Sequence, residues 1–246
     1  MADGLLLTDA AETLSPEGDG PFVLTCEHAT AHLPAPWSWT AEEKALVGTH
    51  WAVDLGAATL TRLLAARLQA PAVLAGFTRL LIDPNRAPSS DTLFRAQCDG
   101  VLLALNASID DLDRARRLRW FHEPYHDAIS ARLPLYPHAD LLSMHSFTPV
   151  YEGGAPRPME VGVLFDHDEA LAIQVASMLE ARGLVVALNE PYSGRGGLMY
   201  AADRHAVASG RRGIEIEVRQ DLATDPAVQP RLVDALAEAF TLAARH

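Results

Sequence analysis

Short apolar runs alternate along this chain with longer stretches of helical periodicity. Residues 21–28, PFVLTCEH, join β-branched and aromatic residues between Gly-Asp-Gly and ATAHLPAP, which predicts a buried strand ending at Glu27 and His28. Residues 50–70 carry Leu55, Leu60, Leu63, Leu64 and Leu68 at helical spacing, predicting an amphipathic helix that opens around His50 to Asp54. PAVLAGFTRLLIDPNR reads as one or two strands closing in a proline-containing turn, and residues 99–134 read as mostly helical. ADLLSMHS predicts a central strand that stops on His145. EVGVLFDH and GLVVALNEPYSG predict strands on either side of a helix over DEALAIQVASMLEARG. RGIEIEVRQDL predicts a last strand, followed by a helix from about Asp225.

Strands that alternate with helices, several of them continuously apolar, predict an α/β three-layer sandwich. Its central sheet is mixed and mostly parallel, with helices on both faces. No linker, repeat or low-complexity block interrupts the pattern, so the expectation is a single domain over residues 1–246.

Strand ends carry the chemistry. Glu27 and His28, Asp83 with Asn85 and Arg86, His145, Asn189 with Glu190, and Glu215 with Glu217 all fall at or near predicted strand ends. In α/β folds, ligands bind in the crevice beyond the carboxyl ends of the strands.

Composition narrows the ligand. A formal net charge of −12 repels phosphate backbones and anionic lipid, which argues against a nucleic-acid partner. An anionic substrate would need a local cluster of arginines. Cys26 and Cys98 are too few for a disulfide framework, and Cys26 reads as a buried thiol. The opening MADGLLLTDAAETL has no basic region and too short an apolar stretch for a secretory leader. No run reaches the ~18 apolar residues of a membrane span. The expectation is a cytoplasmic protein with no membrane partner; nothing singles out a surface for a homo-oligomer, which stays open.

His28 and His145, at the ends of separate strands, supply the two nitrogens that a zinc hydrolase site needs, with a carboxylate as third ligand. Alternation along a strand sends Glu27 and His28 to opposite faces, which favours Asp54 over Glu27 for that place. A hydrogen-bonded structural role for each histidine is the alternative. His122 and His126 in HEPYH are four apart but interrupted by Pro124 and remote from any strand end; a place for His126 on the pocket wall fits better than a metal role. Glu215 and Glu217 share one face of their strand, and Glu217 could act as general base. The alternative places both on a solvated edge strand beside Arg211, Arg212 or Arg219. Arg86 could fork a substrate carboxylate, with Asn85 adding a hydrogen bond. YSGRGG lacks the Lys-Ser/Thr of a phosphate-binding loop and reads as a binding loop carrying Arg195.

Taken in order, CEHAT, HWAVDLGA, DPNR, PYH, SMHSFTP, NEPYSG and IEIEVRQDL span residues 26–221 and resemble the N-formylglutamate amidohydrolase family. That family is similar in turn to the zinc carboxypeptidases and the aspartoacylase group. The resemblance implies a phosphorylase/hydrolase-like fold. It also implies one Zn2+ (or another divalent metal) on His28 and His145, Asn85 and Arg86 holding the substrate carboxylate, and Glu217 as general base. The carboxypeptidase pattern His-x-x-Glu is broken, because Ala31 stands three residues after His28. The third ligand is therefore not carried over; Asp54 is preferred, Glu27 competes, and His50 is a neighbour of the site. The implied reaction is zinc-dependent hydrolysis of a small anionic N-acyl amino acid, N-formylglutamate foremost. Asn189 or Asn85 would assist at the oxyanion and Arg195 would hold a side-chain carboxylate. A carboxypeptidase-like or other N-acyl amino acid deacylase is the nearest alternative. A binder of acidic metabolites that lacks catalysis is another.

Overall fold

The computed structural model of the chain describes residues 10–16 and 18–244, so most of the segment read for a leader, residues 1–9, lies outside it. The strands are β1 (Ala11–Leu14), β2 (Phe22–Cys26), β3 (Ala72–Ala75), β4 (Gln97–Cys98), β5 (Val101–Leu102), β6 (Asp140–Phe147), β7 (Val161–Leu164), β8 (Val186–Leu188) and β9 (Gly213–Arg219). The helices are α1 (Ala57–Leu68), α2 (Ala104–Ala107), α3 (Asp111–Arg117), α4 (Glu123–Arg132), α5 (Glu169–Ala181), α6 (Tyr200–Ser209), α7 (Gln220–Ala223) and α8 (Gln229–Ala243). A π-helical turn, Leu118–His122, joins α3 to α4.

Seven strands form one sheet in the order β1-β3-β2-β6-β9-β7-β8, and β4 pairs with β5 in a separate hairpin. The pairs β2–β3, β2–β6, β6–β9 and β7–β8 are parallel, whereas β1–β3 and β7–β9 are antiparallel. The sheet is mixed and mostly parallel, as the alternation of elements implies.

Strand alternation divides the core in two. Phe22, Leu24 and Cys26 of β2, Leu142 and Met144 of β6, and Ile214, Ile216 and Val218 of β9 pack with α1, α5 and α8. Val23 and Leu141 point to the other face, where Phe121, Tyr125 and Ile129 cover the sheet with Met199 and Ala202 near α6. The period of two therefore turns Ser143, His145, Glu215 and Glu217 toward the α4 and α6 face. Every strand-borne polar group of the candidate site shares that face.

Three local readings change, and a fourth resolves to one of its two alternatives. The helix after β2 begins at Ala57, so His50–Asp54 lies in the turns before it; Gly56, at φ 84°, opens the helix in a conformation that a side chain disfavours. The run after β3 forms no second strand, and Asp83, Asn85 and Arg86 sit on an irregular segment. β6 continues two residues past His145 to Phe147. Helix α6 was not foreseen, because YAADRHAVAS mixes small and polar residues without a strong apolar stripe. No helix among the described residues is long and apolar enough to cross a membrane. Both cysteines are free and buried, and burial pushes the Cys26 thiol up to about 12.

Candidate active site

At the carboxyl ends of β2, β6 and β9 a cavity of about 160 Å³ opens, lined by His28, Asp54, Asn85, Arg86, His145, Glu215 and Glu217 among others. β9 lies between β6 and β7, not at an edge, and the register sets Glu217 opposite His145 and Glu215 opposite Ser143. The solvated-edge alternative for the two glutamates therefore falls: both are buried.

His28, Asp54 and His145 converge from three separate segments. Asp54 Oδ2 lies 3.3 Å from His28 Nδ1 and 2.7 Å from His145 Nδ1. One donor atom from each residue lies within 4.8 Å of the others, a spacing that could hold a metal ion. The opposite edge of each imidazole faces a second carboxylate: His28 Nε2 stands 2.8 Å from Asp83 Oδ1, and His145 Nε2 stands 2.9 Å from Glu27 Oε2. A carboxylate behind each ring fixes its orientation and raises the basicity of the other nitrogen, the usual support for a metal-binding histidine.

Glu27 is held in turn by the Tyr125 hydroxyl, which donates at 2.8 Å, and by the Ser143 hydroxyl. The strand ends at Cys26, and the turn at Glu27–His28 brings both side chains to the site despite their opposite parity. Glu27 thus meets the outer edge of His145, away from the atoms that Asp54 shares with both histidines.

The donor set fits a divalent cation electrostatically. Glu27, Asp54, Asp83, Glu215 and Glu217 are all buried here. Arg79 pairs with Asp54 at 3.5 Å and with Asp83 at 3.1 Å. Carboxylates outnumber the guanidinium groups paired with them, and an uncompensated buried charge is costly. Burial works to lower the pKa of His145, but Glu215, Asp54 and Glu27 raise it well above the usual imidazole range. Glu27 is held down at about 2 by the His145 and Ser143 hydrogen bonds, against its burial.

Glu217 differs from its neighbours. Its Oε2 is buried without a hydrogen-bond partner, and burial with the nearby charges of Asp54 and Glu215 raises its pKa well above the carboxylate range. Room beside it depends on Gly162, which faces Glu217 across β7 and β9. A Cβ at that position would fall 2.1 Å from the Glu190 carbonyl oxygen.

Asn85 is locked into the site. Its Nδ2 donates to Glu215 Oε2 at 3.2 Å, and its Oδ1 accepts from Ala201 N at 3.0 Å, near the start of α6. Arg86 spends Nη1 on the carbonyls of Asn85 and Leu198, at 2.7 and 3.0 Å, and Nε on Thr92 Oγ1. HEPYH explains how this segment is held. His122 Nε2 donates to the Arg86 carbonyl at 2.9 Å, and His126 Nε2 donates to the Pro84 carbonyl at 3.1 Å. The i, i+4 histidines clamp the loop on either side of Asn85.

The structure does not bring Asn189 or Arg195 to the cavity wall. Asn189, at φ 52°, accepts from Phe165 N and Gly194 N and so shapes its own loop. Arg195 is exposed and lies 5.5 Å over the Phe165 ring. His50 does line the cavity, together with Trp51, Arg79, Arg95, Tyr151 and Tyr192, which the sequence reading did not single out. Their signal is weak because they come from loops, where no periodicity marks an inward side chain.

A family model described as N-formylglutamate amidohydrolase matches residues 20–224. Gene product Atu2144 from Agrobacterium tumefaciens has a similar structure, with a TM-score of 0.87 at 30% identity, covering 96% of this chain and 95% of that one. N-formylglutamate amidohydrolase from Ralstonia eutropha JMP134 shares the fold, with a TM-score of 0.75 at 21% identity over 96% of this chain and 97% of that one. No curated protein matches the chain. With the family model covering all the strands that carry the cavity, the chain belongs to the N-formylglutamate amidohydrolase family and is a hydrolytic enzyme.

Proposed function

We propose that the protein hydrolyses the amide bond of a small N-acyl amino acid, N-formylglutamate foremost, with one zinc ion held by His28, Asp54 and His145. The observation that carries this reading is the meeting of three elements in one cavity. These are a His-Asp-His cluster with a carboxylate behind each ring, an unpartnered glutamate opposite His145, and an Asn-Arg pair. When bound there, zinc supplies Lewis-acid polarisation of the scissile carbonyl and lowers the pKa of a water.

The chain's own groups do the rest. Glu217, through its free Oε2, takes a proton from the attacking water and passes it to the leaving amine nitrogen. The cation charge beside it favours its ionised form and opposes the pKa rise that burial imposes. Arg86 has Nη2 left to bind the α-carboxylate, and Asn85 is held rigidly enough to fix that carboxylate's position. The buried wall of β6 and β9 keeps bulk water from the carbonyl.

Initial rates on N-formyl-, N-acetyl- and N-succinylglutamate with the zinc-loaded protein test the reading. Release of formate at a kcat/KM at least tenfold above release of the larger acids is expected. Faster turnover of the acetyl or succinyl compound would assign a different deacylase, and no turnover of any would remove the catalytic reading.

A further inference from the structure

The cavity has a second wall that the roles above leave unused. His50, Trp51, Arg95 and Tyr151 line it together. The Arg95 guanidinium lies 5.5 Å over the Trp51 ring, and the His50 ring is 4.7 Å from Trp51 and 6.1 Å from Tyr151. The cavity's cations differ in what they have left to offer. Arg79 is committed to Asp54 and Asp83. Arg86 is partly committed to carbonyls on the Leu198 side. The Arg95 guanidinium makes no hydrogen bond or ion pair among the described residues. His50 Nε2 is buried without a partner.

An unpaired guanidinium and an unpartnered imidazole nitrogen, both lining the cavity against Trp51, call for an anion with acceptor oxygens, and a carboxylate supplies both charge and geometry. Stacking on Trp51 holds the guanidinium plane in place while leaving its edge free. In a protein of net charge −12, an anionic ligand needs such local cations. Two guanidinium groups with free donors, on different walls of one cavity, match a ligand with two carboxylates.

We infer that Arg95, assisted by His50, binds the side-chain carboxylate of an acidic amino-acid moiety while Arg86 binds its α-carboxylate. This rests on the proposed reading of the cavity and replaces Arg195 in the role expected from sequence. It makes Arg95 a specificity-determining residue that selects a dicarboxylic over a neutral amino acid.

The test is equilibrium binding, which does not require turnover. Calorimetric titration of the zinc-loaded protein with L-glutamate and with L-glutamine, its neutral isostere, should give at least a tenfold preference for glutamate. Arg95→Gln should reduce that preference below threefold, and Arg95→Lys should restore part of it. Three results would overturn the inference: equal affinity of the wild type for the two ligands, a preference that survives Arg95→Gln, or one that collapses instead in Arg195→Gln. If the preference behaves as expected while no N-acylglutamate is hydrolysed, the subsite stands and the catalytic reading fails. If N-formylglutamate is hydrolysed without the preference, the reverse holds.

Discussion

Glu217 and His145 lie directly opposite each other on the adjacent parallel strands β9 and β6. Parallel neighbours are about 4.8 Å apart. That pairing puts a candidate metal ligand and a carboxylate with a free oxygen at a fixed separation, set by the sheet and not by a loop. Substituting Glu217→Gln preserves shape and removes the proton acceptor. It should lower kcat by roughly 10²–10⁴-fold and leave zinc content unchanged. Near-normal turnover in this variant would assign the proton transfer to another group.

If the proposed centre holds zinc, the chain Tyr125–Glu27–His145 should make a residue on α4 a determinant of metal affinity. Glu27→Gln should weaken zinc binding by roughly 10–100-fold, the usual cost of losing the carboxylate behind a ligating histidine. Tyr125→Phe, which removes only a hydroxyl one step further out, should weaken it less. Competition with a zinc-chelating dye measures both, and equal affinity in wild type and Glu27→Gln would mean that His145 is oriented by other contacts.

Acid should destabilise the fold through the histidines under the DPNR segment. Burial lowers the pKa of His126 to about 2 and of His205 to about 4, and the two rings share a 2.9 Å hydrogen bond. Both are neutral when folded and titrate near 6.5 when unfolded, so between about pH 6 and 4.5 the unfolded chain binds more protons. Their stabilisation is complete above pH 6.5 and is lost as pH falls, by up to roughly 1.4 kcal/mol per pH unit for each proton. His145 is shifted the other way, so its contribution is constant below 6.5 and adds no slope in this window. Glu215 and Glu217, raised by burial, hold protons in the folded state over this range and oppose that slope in both proteins, so the histidine effect is read as a difference: the change in urea midpoint from pH 7 to 5 should be more destabilising in the wild type than in His205→Gln. An unchanged slope would assign the effect elsewhere.

Gly162 ties the sheet to the loop after β8. The Cβ of Gly162→Ala would meet the Glu190 carbonyl oxygen at 2.1 Å and Glu217 Cβ at 3.3 Å. The backbone contact has no flexible end to yield. Destabilisation of roughly 1–3 kcal/mol is expected, read from urea unfolding, with a loss of activity from displaced Glu217. A variant as stable and active as wild type would show that the loop shifts freely.

What the sequence made legible depended on periodicity. The apolar runs around Phe22, Leu142 and Ile214 marked the strands, and the polar residues at or just beyond them, His28, His145 and Glu217, meet in one cavity. Asp54 also reaches it, from a turn before α1 and not from the helix itself. Along β2 the strand stops at Cys26 and the turn brings Glu27 as well as His28 to the site, yet it is Asp54 that meets both histidines while Glu27 backs only His145. Groups on irregular segments were obscure for a related reason. Arg95 lines the cavity from a loop held by Asn106, whereas Asn189, beside a predicted strand end, shapes its own loop and Arg195 is exposed over the Phe165 ring.

Zinc K-edge X-ray absorption of the zinc-loaded protein, alongside its Asp54→Ala variant, tests the central claim most directly. One equivalent of zinc with two imidazole nitrogens and a carboxylate oxygen at about 2.0–2.2 Å is expected, the carboxylate contribution disappearing in Asp54→Ala. A wild-type spectrum with a single imidazole, or one unaltered by Asp54→Ala, would contradict a centre built from His28, Asp54 and His145.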